Sequence, residues 1–183
     1  MEETWVRRLQ AGDESAFDEL FAAYQKQAVR TAALITGDAA LAEDAAQEAF
    51  VNCLLHIKEL REASRFRPWF FRTLTRCAWK AMERKLPAAD WGEALEKVST
   101  ADIYPSEKDA AYEKLYQALD GLGRKQRTTI ILYYFNDFSI REIAEVTGSL
   151  EGTVKTRLFA ARRRRKRALE AESQKGEVIY ERV

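Results

Sequence analysis

Residues 139–167 read SIREIAEVTGSLEGTVKTRLFAARRRRKR. Ser139 followed by Glu142 is the pattern of a capping box, in which the serine side chain takes a backbone N–H and the glutamate reaches back to the cap. Ile140, Ile143 and Ala144 then give a short helix one apolar side. Thr147-Gly148 ends that helix, because glycine accepts the left-handed conformation common just past a helix. A second helix is expected from about Leu150 to Ala171, with Val154, Leu158 and Ala161 on the side that faces Ile140, Ile143 and Ala144. A capped helix, a glycine turn and a basic helix together make a helix-turn-helix.

The outer side of that last helix carries Lys155, Thr156, Phe159, Ala160, Arg163 and Lys166, and Arg162 to Arg167 is an unbroken run of six cations. Cations hold phosphates, and short side chains let a helix approach base edges in a groove. The bland alternative is a helical hairpin with a solvated charged end.

Moving back along the chain, residues 124–135 read as a helix ending at the Asn136-Asp137 turn. Before it, Ala111, Leu115, Ala118, Leu119 and Leu122 share one face, and Gly121 and Gly123 bracket a break. Residues 87–106 hold two of the three prolines, several acids and little periodicity, the composition of a flexible linker. In the first half, Phe17, Leu20, Phe21, Tyr24 and Ala28 have helical spacing over residues 15–28. Asp38 is a good N-cap after Gly37 for a helix to about Leu60, and Pro68 suits the first turn of a helix to about Lys85. The expected fold is all-α, with two small helical domains at 1–86 and 107–171, the linker 87–106 between them and a polar tail at 172–183. The C-terminal domain is the helix-turn-helix.

Charge follows the same division. The net charge is only +1, yet residues 1–50 carry 10 acids and 4 bases, whereas residues 51–85 carry 3 and 9. Residues 86–123 carry 8 acids and 3 bases, and residues 124–170 carry 5 and 12. Two basic blocks on one chain imply two polyanion-facing surfaces, unless both are ordinary solvated faces.

The helix from Pro68 has an apolar side of Phe70, Phe71, Leu74, Cys77, Ala78, Ala81 and Met82. Its other side holds Trp69, Arg72, Thr73, Arg76, Trp79 and Lys80. Indoles among cations fit unpaired bases, which stack on rings while cations hold the backbone. The alternative is that both tryptophans pack against neighbouring helices. The preceding helix points Ala42, Ala46, Ala49, Phe50, Cys53 and Ile57 inward, and leaves Asp44, Gln47, Glu48, Val51 and Asn52 on the far side. An acidic and amide face beside an apolar residue can dock a basic protein surface.

Other chemistries find little support. Cys53, His56 and Cys77 are the one combination with zinc-like spacing, but both cysteines fall on apolar faces, where small core residues are usual. There is no Gly-rich phosphate loop, nucleophile elbow or His–Glu metal signature, and one histidine leaves little for acid–base catalysis. No enzyme activity, cofactor, metal or small-molecule substrate is expected. No apolar run approaches the roughly 20 residues of a membrane span. The Met1-Glu2-Glu3 start has no signal-peptide pattern, and two cysteines suit a reducing cytosol.

At these residues the chain resembles the extracytoplasmic-function (ECF) sigma factors of the sigma-70 family. Asp44-Ala45-Ala46-Gln47-Glu48-Ala49-Phe50 is similar to the family's polymerase-docking motif D-x-x-Q-[ED]-x-F. Phe66-Arg67-Pro68-Trp69-Phe70-Phe71-Arg72 is similar to the F-R-x-W-L-x-R segment leading into its −10 recognition helix. Ser139-x-x-Glu142-Ile143-Ala144 and Gly152-Thr153-Val154-Lys155-Thr156-Arg157-Leu158 resemble S-x-x-E-I-A and G-T-V-K-S-R-L, and Ala161-Arg162 matches the A-R that follows.

The resemblance implies a non-enzymatic initiation factor whose two domains are sigma regions 2 and 4. Asp44, Gln47, Glu48 and Phe50 would engage the clamp helices of the largest subunit of core RNA polymerase. Arg67, Trp69, Arg72, Thr73, Arg76, Trp79 and Lys80 would hold the unpaired −10 strand of promoter DNA. Lys155, Thr156, Phe159, Arg162, Arg163 and Lys166 would read the −35 duplex. An anti-sigma factor is an implied further partner, and the cytoplasm the implied location. The chain departs from the pattern at Arg76 and Lys80, where the family commonly has Asn and Asp, and at Ala160, where Arg is frequent. Leu150 stands where a serine cap is common, which leaves Ser149 as the neighbouring cap candidate. The rival reading is a stand-alone helix-turn-helix regulator of duplex DNA, which leaves the two-tryptophan face and the acidic helix unused.

Overall fold

The computed structural model describes residues 1–85, 119, 122–161 and 163. Among them every regular element is helical. The elements are α1 (Glu2–Gln10), α2 (Ser15–Thr36), α3 (Ala39–His56), α4 (Phe66–Lys85), α5 (Arg124–Phe135), α6 (Ile140–Thr147) and α7 (151–161). Two single 3-10 turns, Ile57–Glu59 and Ala63–Arg65, link α3 to α4. The 87–106 linker, most of the helical pattern before Leu119 and the tail lie outside the described residues.

Helix ends fall where side-chain chemistry puts them. Gly37 closes α2 at φ 70° and returns its N–H to Ala33 O at 2.8 Å. The Asp38 side chain then accepts from Leu41 N at 3.0 Å and opens α3. Ser139 and Glu142 form the expected capping box, and Gly148, at φ 61°, stops α6. The turn before α6 puts Asp137 at φ 51°, a conformation short polar residues tolerate. Ser149 takes a different part from the cap expected of it: its Oγ accepts from Arg157 Nη1 at 2.8 Å. The Leu150 carbonyl receives the Val154 N–H at 3.1 Å and so opens α7.

Two features go beyond the sequence pattern. α1 is an additional helix, seated by buried Val6 and Leu9. Arg8 fastens it to the start of α2 through Asp13 and Glu19, and Gln10 Nε2 reaches the carbonyls of Ile57 and Leu60 at 3.0 and 2.7 Å. α2 runs eight residues past the expected segment, because Ala32, Ala33, Leu34 and Ile35 are buried on every side.

The core of the first half is aromatic. Phe66, Phe70, Phe71 and Leu74 of α4 are at most 1% exposed. Tyr24 lies 5.4 Å from Phe66, and Phe50 4.8 Å from Phe70, ring centre to ring centre. Pairs at such separations add about 0.5–1.5 kcal/mol each beyond burial alone. α5, α6 and α7 close a smaller core through Ile131, Leu132, Ile143, Val146, Val154 and Leu158. The two cores are continuous: α5 packs on α2, and α6 packs on α4.

Candidate nucleic-acid interface

Three faces carry the residues singled out by the sequence, and they differ in how open they are. On α7, burial of Val154 and Leu158 turns Lys155, Thr156, Phe159, Ala160 and Arg163 into solvent. Phe159, 68% exposed, is a large apolar ring with no seat in the fold. Arg162 and Lys166 lie outside the described residues.

α4 divides as its apolar spacing predicts. Phe70, Phe71, Leu74, Cys77, Ala78, Ala81 and Met82 are all buried. Arg72, Arg76 and Lys80 are exposed, and Trp69, Thr73 and Trp79 are half-buried. Trp69 leans on Phe66 at 6.1 Å, and Thr73 Oγ1 donates to the Trp69 carbonyl at 3.3 Å. Lys80 Nζ pairs with Glu48 Oε1 at 2.9 Å, which joins this face to α3.

Arg67 and Trp79 are engaged within the fold rather than open. The Trp79 indole N–H donates to Thr128 Oγ1 at 3.1 Å, and the Arg124 guanidinium covers its ring at 4.9 Å. Arg67 lies 4.3 Å above the Phe138 ring and donates to the Asn136 carbonyl. Tryptophans against a neighbouring helix were the alternative left open by the sequence, and Trp79 meets it in part.

On α3, Asp44 and Gln47 are exposed and Glu48 is half-buried. Phe50 lies on the inward side that its helical spacing gives it, not at the surface contact that the resemblance implies. It is 4% exposed and sits among Phe17, Phe21 and Phe70, so its role is to seat the helix. Sequence reasoning missed Leu54 and Leu55, which are exposed beside Val51. Their signal was available: Asp44, Gln47, Glu48, Val51 and Leu55 follow the spacing of one helix face. The face is therefore an apolar strip with an acidic and amide head.

Cys53 and Cys77 are both buried, and His56 is exposed and bonded to Glu59. Burial pushes the Cys53 thiol up to about 12 and the Cys77 thiol up to about 11. Among the described residues no three His, Cys, Asp or Glu side chains gather as a metal ion needs. No described helix is long and apolar enough to cross a membrane.

Sigma-70 region 2 matches residues 20–85, and Sigma-70, region 4 matches residues 112–164. The RNA polymerase sigma-H factor of Pseudomonas aeruginosa is 31% identical over 177 residues, 90% of this chain and 92% of that one. The ECF RNA polymerase sigma factor SigW of Bacillus subtilis is 27% identical over 169 residues, covering 86% and 90%. In fold, the sigma factor RpoE of Bartonella quintana, solved with the anti-sigma factor NepR, superposes with a TM-score of 0.68 at 22% identity. That match covers 84% of this chain and 96% of the other. With both regions matched in order and relatives aligned over nearly their full length, the chain belongs to the ECF group of sigma-70 RNA polymerase sigma factors.

Proposed function

We propose that this chain docks on core RNA polymerase through α3 and directs it to promoters by two DNA contacts. Asp44, Gln47 and Glu48 supply polar and acidic partners for the clamp helices of the largest subunit. Val51, Leu54 and Leu55 supply the apolar strip that such a contact desolvates. α7 enters the major groove at −35, with Lys155, Arg162, Arg163 and Lys166 toward phosphates and Thr156 and Phe159 toward bases. The α4 face holds the melted −10 strand, with Trp69 and Trp79 for bases and Arg67, Arg72, Arg76 and Lys80 for the backbone. In this reading residues 1–86 and 107–171 are the two functional units, joined by 87–106. The polymerase performs the chemistry, and the chain works in the cytoplasm without a cofactor.

The observation that carries the reading is the α7 face. Val154 and Leu158 are buried on one side, while a lysine, a threonine, a phenylalanine and an arginine stand open on the other. Arg76 and Lys80 add two cations to the −10 face, so a larger share of that contact should be electrostatic and fall with salt. The solved complex of the similar fold with an anti-sigma factor makes such a protein a further proposed partner.

The test is transcription in vitro with core polymerase, followed by mapping of start sites. Discrete starts that require this chain are expected, with little promoter binding by the isolated protein. Tight binding of a duplex operator without polymerase would favour the stand-alone regulator instead. Trp69→Ala or Arg76→Ala should lower the yield of melted promoter more than it lowers core binding, and an unchanged yield counts against the −10 assignment.

A further inference from the structure

Several of the large apolar side chains that stand in solvent share one stretch of α3. Val51 is 55%, Leu54 43% and Leu55 70% exposed. Phe21 of α2, partly exposed with its ring centre 4.8 Å from that of Phe50, borders the same helix. The two ends of this strip differ in charge. Asp44 is exposed on the turns before it, and Lys58 is exposed in the 3-10 turn just after it. The other acids nearby are already engaged. Glu48 Oε1 lies 2.9 Å from the Lys80 ammonium, and Glu59 Oε1 lies 2.8 Å from His56 Nδ1.

Asp44, Gln47, Val51, Leu54 and Lys58 follow one another by alternate steps of three and four residues. That is the seam spacing along which two helices pack lengthwise. Val51 stands midway, seven residues from Asp44 and seven from Lys58. A second copy laid antiparallel about a two-fold axis at Val51 therefore sets its apolar strip on this one. The same placement brings its Lys58 opposite Asp44, and symmetry repeats the pair at the other end. A parallel arrangement would oppose Asp44 to Asp44 and Lys58 to Lys58, which charge disfavours. With a net charge of only +1, two copies meet little general repulsion.

We propose that a second copy of this chain occupies the α3 strip in the free protein. The product is an antiparallel two-fold dimer, packed through Val51, Leu54 and Leu55 and held in register by Asp44–Lys58 pairs. The strip is short, so the dimer belongs to the weak, transient class, with a dissociation constant on the order of 10–100 μM. Pairing covers the side chains assigned above to polymerase docking, so the two contacts exclude each other. Dimers are then a reserve from which free polymerase draws single chains by mass action.

The experiment is sedimentation velocity of the full chain under reducing conditions, from about 1 to about 300 μM, a range that brackets the expected constant. The weight-average mass should rise from that of the monomer toward twice that value. Leu55→Asp should hold the chain near the monomer over the same range. Asp44→Lys or Lys58→Glu alone should weaken pairing about tenfold, since each turns two attractive pairs into two repulsive ones. An equimolar mixture of these two variants should pair as tightly as the parent, because every heterodimer regains both attractive pairs. All three positions are exposed, so thermal melts of the variants should match the parent's and serve as the folding control. A parent chain that stays monomeric throughout overturns the proposal and leaves the strip to polymerase alone. A dimer indifferent to both charge changes, or a mixture no tighter than its separate variants, overturns it as well. The measurement contains no polymerase, so its result is independent of the docking assignment.

Discussion

Lys80 stands between two partners. Its ammonium is 2.9 Å from Glu48 Oε1, with about half of the side chain in solvent. An ion pair this exposed contributes under about 1 kcal/mol, so a phosphate can replace the carboxylate at small cost. Lys80→Ala should therefore leave the melting temperature of the protein essentially unchanged. In holoenzyme it should reduce the log–log salt slope of single-strand binding by about 0.7, one phosphate contact. An unchanged slope removes Lys80 from the DNA face. Phe50 poses the opposite case. The motif D-x-x-Q-E-x-F places it beside docking residues in sequence, but helix geometry turns it into the aromatic core. Phe50→Ala should cost about 3–5 kcal/mol of stability and show as loss of folded protein. Gln47→Ala should weaken core binding with the melting curve unmoved. If Phe50→Ala stays folded and fails only in polymerase binding, the packing role is wrong.

The helices show which local signals survive in sequence. Asp38, Ser139 and Gly148 each end an element by one side chain or one backbone conformation, and each was legible. Ser139→Ala removes the hydroxyl that accepts from Glu142 N and should cost about 1 kcal/mol. Thermal unfolding should report that as a fall of about 2–4 °C. The faces of α3, α4 and α7 were legible for a related reason, since each has one buried and one solvated side. α1 was not, because a nine-residue helix with two buried side chains barely repeats its pattern. The second half of α2 was lost to the opposite cause: burial on all sides erases the period. Exposure of the α7 cations makes a further element-scale prediction. Lys155→Ala should weaken dependence on the −35 element, read as a smaller activity ratio between promoters with intact and mutated −35 sequences. A ratio equal to the parent's would take Lys155 off the reading face.

At the scale of the whole molecule, the packing of α5 on α2 and of α6 on α4 left no trace in periodicity or composition. Thr31, Arg127 and Asn136 are polar residues in helix or turn, and only their meeting across about a hundred positions buries them. The same scale tests the division into two units. Residues 87–106, proposed as their connection, can reach at most about 70 Å when extended. That reach, together with the widths of the units, is enough to place one unit at −35 and the other at −10. Removing ten of these residues cuts the reach to about 35 Å. Transcription from a promoter with both elements should then collapse, while core binding persists because the α3 face is untouched. Adding ten residues should lower activity only about twofold, since effective concentration falls roughly as the −3/2 power of connector length. Shortened and lengthened chains of equal activity would mean that the two units never grip both elements at once.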